Sequence, residues 1–218
     1  MTAIGTVAFI PVRGGSKSIK NKNIMPIAGK PLVYWTVLAA VESQKIEKVF
    51  VATDSNEIKN VVDSFGFDQV QVISRSAQTA SDSATSESAL MEFCENYEFK
   101  QVVFLQATSP LTKAQDLDSA LSKMENDCAN SLVSVVRRHQ FLWNTDCTPM
   151  NYDPQNRPRR QDWDGYFVEN GAFYVSHRED ILNSKCRMSG KISCFEMDQK
   201  TLYEVDEPAD WEVIEKFL

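Results

Sequence analysis

From Arg13 to Asn23 the chain reads Arg-Gly-Gly-Ser-Lys-Ser-Ile-Lys-Asn-Lys-Asn, directly after an apolar run at residues 7–12. The first 41 residues hold Arg13, Lys17, Lys20, Lys22 and Lys30 and no Asp or Glu, although the whole chain has a net charge of −7. A cationic loop in an acidic protein fits a polyphosphate ligand. Transfer at phosphorus needs positive charge and backbone donors where negative charge shifts. Arg13 offers a planar fork for two phosphate oxygens, and Gly14 and Gly15 let the backbone approach closely. The order of residues is neither a Walker A loop nor a G-x-G-x-x-G loop. The plain alternative is a solvated basic turn.

Four further groups carry chemistry. Glu204 and Asp206 alternate, so on a strand they would share one face. Two carboxylates there suit magnesium, a hard cation that prefers oxygen. Asp206 could instead cap a helix opened by Pro208, and Asp210 reads as a first-turn charge facing the helix dipole. Arg75 precedes a hydroxyl-rich stretch at residues 76–87, in which Thr85 or Ser86 is the expected helix cap. Gln106, Thr108 and Ser109 follow a buried run, at the edge where ligands bind or in a simple Ser-Pro turn. Arg157, Arg159, Arg160 and Gln161 lie in a polar stretch and could meet an anion or only water.

These residues need a frame. Strand patterns at 7–12, 48–53, 70–73, 102–105 and 131–136 alternate with helix patterns at 31–41, 57–65, 85–97 and 114–124. That rhythm predicts an α/β fold, doubly wound, with a mainly parallel sheet and helices on both faces. The loops after strands 7–12, 70–73 and 102–105 then share the carboxyl edge. The rhythm breaks at about residue 138, and residues 139–166 read as a projecting arm. Strands are expected again at 171–175, 192–197 and 202–205, then a helix at 208–218. A single domain of 218 residues is expected. Five scattered cysteines without C-x-x-C spacing argue against zinc or a disulfide framework and for reduced thiols in the cytoplasm. The acidic balance disfavours nucleic acid, no run is long enough for a membrane span, and the amino terminus lacks a signal-peptide pattern.

The motifs taken together resemble a family. Residues 7–23, then Ile27-Ala28-Gly29-Lys30-Pro31-Leu32, are similar to the signature of the CMP-sialic acid synthetases and their legionaminic and pseudaminic acid relatives. The likeness continues in Gln106-Ala107-Thr108-Ser109-Pro110-Leu111, in Asn170-Gly171-Ala172-Phe173-Tyr174 and in residues 204–210. It implies a nucleotide-diphospho-sugar transferase-like, Rossmann-like fold. It also implies CTP and a nine-carbon 2-keto sugar acid as substrates, a CMP-sugar and pyrophosphate as products, and Mg2+ as cofactor.

By position, Arg13, Gly14, Ser16, Lys22 and Asn23 match the phosphate loop, with Lys22 nearest the α-phosphoryl group. Arg75, Ala84 and Ser86 match the base-reading segment. Gln106, Ser109, Arg160, Tyr166, Asn170 and Phe173 are the expected sugar contacts, although Tyr166 and Phe173 could equally be core. Glu204 and Asp206 match the metal pair, commonly Asp-x-Asp, and Arg13, Lys22 and Asp206 are the expected catalytic set. The arm implies a homodimer whose pocket the partner completes. Ser18, Lys20, Ala107 and Thr112 depart from the usual pattern, and Thr112 removes an anion contact. Two other readings are an enzyme of the eight-carbon 3-deoxy-manno-octulosonic acid and a non-catalytic nucleotide-binding homologue. The eight-carbon family's loop lacks the Gly-Gly-Ser-Lys run.

Overall fold

A computed structural model of the chain describes residues 4–15, 19–81 and 84–218. The elements run β1 (Ile4–Pro11), β2 (Pro26–Ile27), β3 (Lys30–Pro31), α1 (Leu32–Glu42), β4 (Lys48–Thr53), α2 (Asn56–Asp63), β5 (Val70–Ser74), α3 (Ala77–Ala80) and α4 (Ser86–Asn96). Then come β6 (Phe99–Leu105), α5 (Ala114–Asn126), β7 (Ser131–Arg138), β8 (Tyr166–His177), α6 (Arg178–Ser184), β9 (Ile192–Glu196) and α7 (Pro208–Glu215). Seven strands form one sheet in the order β5-β4-β1-β6-β8-β7-β9. Pairing is parallel except along β8, which runs antiparallel to both β6 and β7. The expected doubly wound, mainly parallel sheet is present.

Alternation along β1 explains the two layers. Ala8 and Ile10 join Val33 and Val37 of α1, Ile58 of α2 and Leu117 of α5 in one core. Val7 and Phe9 face the other way, against Leu90 and Phe93 of α4 and Ile181 of α6. Period-two side chains between helices on both faces give two buried layers from one sheet. A third cluster lies beyond the sheet and joins Ile19, Ile27, Leu32, Leu111, Val205 and Ile214. Trp35 Nε1 donates to Ile27 O at 3.1 Å, and Trp211 Nε1 donates to Pro26 O at 3.1 Å. This cluster binds the cationic loop to the acidic carboxyl-terminal segment.

Two local expectations change. Residues 202–205 do not form a strand; a 3-10 turn covers Gln199–Leu202 and the chain then runs extended. Val205 is fully buried in the third cluster, and its N–H donates to Thr108 O at 2.9 Å. That burial draws the segment across the carboxyl edge instead of alongside the sheet. β8 begins earlier than expected and carries a wide irregularity. Val135 pairs with Glu169 and Val133 with Tyr174, so residues 170–173 stand opposite Ser134 alone. Ser134 Oγ donates to Phe173 O at 2.9 Å and accepts from Phe173 N at 3.0 Å. Such a bulge re-aims the strand next to a site.

The arm contains short 3-10 turns over Pro154–Asn156 and Arg160–Asp162 and one antiparallel bridge between Trp143 and Pro149. Its own rings hold it: Phe141 stacks on Trp163 at 5.0 Å, and the Arg157 guanidinium lies 4.3 Å from the Phe141 ring.

Candidate active site

The cationic loop leaves β1 at the carboxyl edge, where Val12 N donates to Ala52 O at 2.8 Å. Gly14 N donates to Asp54 Oδ1 at 2.9 Å. The buried Asn23 side chain donates to Arg13 O at 3.2 Å, closing the loop on its own start. Lys22 is only 9% exposed, so its ammonium requires partners. It donates to Val205 O at 2.7 Å and to Asp206 Oδ1 at 3.3 Å. Lys22 thus meets the acidic end directly, across more than 180 residues of chain. Ser16 and Lys17 lie outside the described residues.

Glu204 is half-buried. Burial, and then the charge of Asp206, push its carboxyl up to about 7, against the opposing pull of Lys22. Its position explains Gly171. That residue has φ +67°, and a methyl group built on it would stand 2.1 Å from Glu204 Oε1. The left-handed backbone favours glycine there, and the carboxylate fills the space a side chain would take. Asp206 is exposed and does not cap α7. Glu207 is the N-cap residue, and Asp210 accepts from Asp206 N at 2.9 Å and Glu207 N at 2.7 Å. Asp206 thus keeps its carboxylate for Lys22. The donor set fits magnesium: two hard oxygen ligands repel each other, and a divalent cation between them would relieve that repulsion. Magnesium ordinarily takes one or two carboxylates and completes its shell with phosphate and water. Among the described residues there is no group of three or more acids, His or Cys able to enclose a metal.

Gln106 and the β8 bulge lie together at the same edge. Gln106 N donates to Ala172 O at 3.0 Å, and Thr36 Oγ1 reaches Gln106 O at 3.5 Å. The Gln106 side chain is half-buried. The Ser109 hydroxyl is buried without a hydrogen-bond partner. Two expected sugar contacts are corrected. Asn170 is 1% exposed and donates to Thr201 Oγ1 at 2.8 Å and to Met197 Sδ at 3.2 Å, so its amide is engaged in holding the bulge. Phe173 is 0% exposed and packs on Phe195 in the core. It shares the core layer of Ala172 and Val175.

Arg75 follows β5. Its N–H donates to Thr53 O at 3.0 Å, and its Nη2 donates to Thr79 O. Burial lowers its pKa; Asp54 and Glu92 oppose that, and Arg13 adds to it. Ala84 is half-buried and its N–H donates to Ser81 O at 3.1 Å. Thr85 is the N-cap of α4 and Ser86 its first residue. On the arm, Arg160 is exposed, and Tyr166 OH reaches Gln140 Oε1 at 3.4 Å. Within the single chain neither touches the Lys22 group through any hydrogen bond among the described residues. Asp54 escaped sequence reasoning. The signal was its place directly after strand 48–53, at the same edge as the other loops.

Residues 7–217 match the family model for cytidylyltransferases. An N-acylneuraminate cytidylyltransferase of Oncorhynchus mykiss is 39% identical over 217 residues, covering 96% of this chain and 49% of the relative. One of Streptococcus agalactiae is 31% identical, covering 94% and 51%. The chain spans about half the length of these curated relatives. A solved CMP:2-keto-3-deoxy-manno-octonic acid synthetase complexed with CTP superposes with a TM-score of 0.73, covering 97% of both chains at 21% identity. The 4-diphosphocytidyl-2C-methyl-D-erythritol synthase of Anaerococcus prevotii superposes with the same TM-score at 9% identity, over 99% and 96% of the two chains. At such identities the likeness is one of fold. The family match covers almost every described element, from the cationic loop to the carboxylates that meet it, and on that basis the chain belongs to the cytidylyltransferase family.

Proposed function

We propose that this chain transfers the cytidylyl group of CTP to the anomeric hydroxyl of a nine-carbon 2-keto sugar acid, releasing pyrophosphate. The sugar oxygen attacks the α-phosphorus in line, the new P–O bond forms, the bond to the pyrophosphate oxygen breaks, and the hydroxyl proton is released to water. The observation that carries the reading is Lys22, a buried ammonium held between the phosphate-type loop and Asp206. A cation fixed in this way is ready for charge that develops in the transition state, with little reorganisation. Arg13, Gly14 and Asn23 supply the phosphate cradle, and Arg75, Ala84 and Ser86 flank the base. Gln106, Ser109, Arg160 and Tyr166 remain the sugar-side assignment. The names of the relatives, which reach 39% identity, favour the nine-carbon acid.

Glu204 and Asp206 would hold a magnesium ion. When bound, it would neutralise part of the polyphosphate charge. The active unit is a homodimer joined through residues 139–166. No helix among the described residues is long and apolar enough to cross a membrane, and all five cysteines are free, which supports a cytoplasmic protein.

The test is pyrophosphate release with CTP and magnesium, run in parallel with N-acetylneuraminic, legionaminic, pseudaminic and 3-deoxy-manno-octulosonic acids. Turnover with one nine-carbon acid is expected and would name the substrate. Turnover with only the eight-carbon acid would reassign it. CTP binding without turnover on any of the four would point to a non-catalytic homologue.

A further inference from the structure

Thr53-Asp54-Ser55 leaves β4 at the carboxyl edge, between the ends of β1 and β5. On one side Asp54 Oδ1 accepts the Gly14 N–H at 2.9 Å. The approach is tight, because a methyl group on Gly14 would stand 3.0 Å from Ser55 Cβ and 3.8 Å from Asp54 Oδ1. On the other side Thr53 O accepts from Arg75 N at 3.0 Å. Asp54 and Arg75 line one cavity of about 500 Å³, together with Ser55, Ala77 and Ala80. The Arg75 Nε is buried and unpaired. Of the charges acting on Arg75, Asp54 is the largest that favours its ionised form, and Arg13 works against it.

A carboxylate next to a polyphosphate site repels the ligand, so an opposing benefit is needed to explain it. One such benefit follows from this geometry. A loop containing Gly14 and Gly15 loses much backbone entropy on ordering, and the Asp54–Gly14 bond holds its start in place beforehand.

We propose that Asp54 is a positioning residue: it anchors the phosphate-binding loop through the Gly14 N–H before nucleotide arrives. The identity of the nucleotide rests on the reading under Proposed function; the anchoring itself does not.

The experiment compares wild type with Asp54→Ala, Asp54→Asn and Gly14→Ala. Three quantities are read: amide hydrogen exchange at Gly14 without ligand, melting temperature, and calorimetric affinity for CTP and for pyrophosphate. Asp54→Ala removes the acceptor. It should lose about tenfold protection at Gly14 and about tenfold affinity for both ligands, the size expected of one charge-assisted hydrogen bond. Asp54→Asn keeps an acceptor oxygen, so it should retain the protection and recover most of the affinity. Gly14→Ala pushes the loop off Ser55 and should reproduce the loss with the carboxylate intact, which covers the case of a poorly folded Asp54→Ala. Wild-type affinity in Asp54→Ala, or unchanged Gly14 protection there, would overturn the proposal. Equal weakening in the Ala and Asn variants would overturn anchoring through Gly14. A wild-type protein that binds neither ligand would remove the CTP reading, while exchange at Gly14 would still decide whether Asp54 anchors the loop.

Discussion

Glu204 shows how one side chain can couple stability to a ligand. In the unfolded chain it titrates in the ordinary carboxylate range, but the folded protein holds its proton up to about 7. Between those limits the folded state binds more protons, so stability falls as pH rises, and above about pH 7 the full penalty remains. Glu204→Gln carries no such charge. It should melt at the wild-type temperature near pH 4 and roughly 5 °C higher at pH 8, as read by calorimetry. Magnesium should raise the wild-type melting temperature at pH 8 and leave that of Glu204→Gln nearly unmoved; equal shifts would exclude Glu204 as a ligand. Lys22 acts on rate. Lys22→Met keeps the buried stem and removes the charge, so single-turnover rates should fall about 10²- to 10³-fold. CTP affinity should weaken much less, because the charge is most needed in the transition state. A loss confined to CTP affinity would assign Lys22 to ground-state binding.

At the level of elements, the start of α4 illustrates what holds still the segment we propose to read the base. Glu87, beside Ser86 in the first turn, accepts from Arg187 Nε at 2.5 Å. The Arg187 guanidinium covers Phe104 at 5.1 Å and Tyr174 at 4.7 Å, on adjacent strands β6 and β8. The hydrogen bond from Arg187 holds the Glu87 carboxyl below its usual range. Removing one partner leaves the other charge without compensation. Arg187→Met should therefore destabilise the protein by about 2 kcal/mol and weaken CTP binding through Ser86, whereas Arg187→Met with Glu87→Leu should recover most of the stability. Denaturant titrations of the four proteins in that cycle check it, and an additive cycle would mean the pair does not couple. The sequence showed none of this, since a Glu and an Arg 100 residues apart carry no mutual signal. The helix cap was legible because capping is local: a hydroxyl before an apolar periodic run needs only its own next turn. The strand expected at 202–205 failed for the converse reason. Alternation is local, but Val205 is drawn away by Ile27, Leu111 and Ile214, residues it meets only in the folded chain.

For the molecule as a whole, the open question is assembly. The arm exposes Trp143 at 51% and Met150 at 59%, and these are the apolar side chains that the proposed dimer would cover. Light scattering should give about twice the 24.7 kDa chain mass. Trp143→Asp with Met150→Asp should give a monomer that still melts cooperatively but turns over poorly, because the proposed pocket is completed by the partner's arm. A monomeric wild type with full activity would refute the dimeric site.

Read alone, the chain revealed the doubly wound layering, because period-two and period-3.6 hydrophobicity are local consequences of burying a strand or a helix. It also revealed the cationic loop, the paired acids and the arm, because charge and composition need no partner to be seen. Only the tertiary structure decided which of these residues meet. Lys22 reaches Asp206, Asp54 grips Gly14 and Glu204 overlies Gly171 because distant segments converge at one sheet edge. Asn170 and Phe173 turned inward for the same reason. Motif spacing gives order along the chain, but side-chain direction at a bulge is set by packing against elements that the local pattern does not contain.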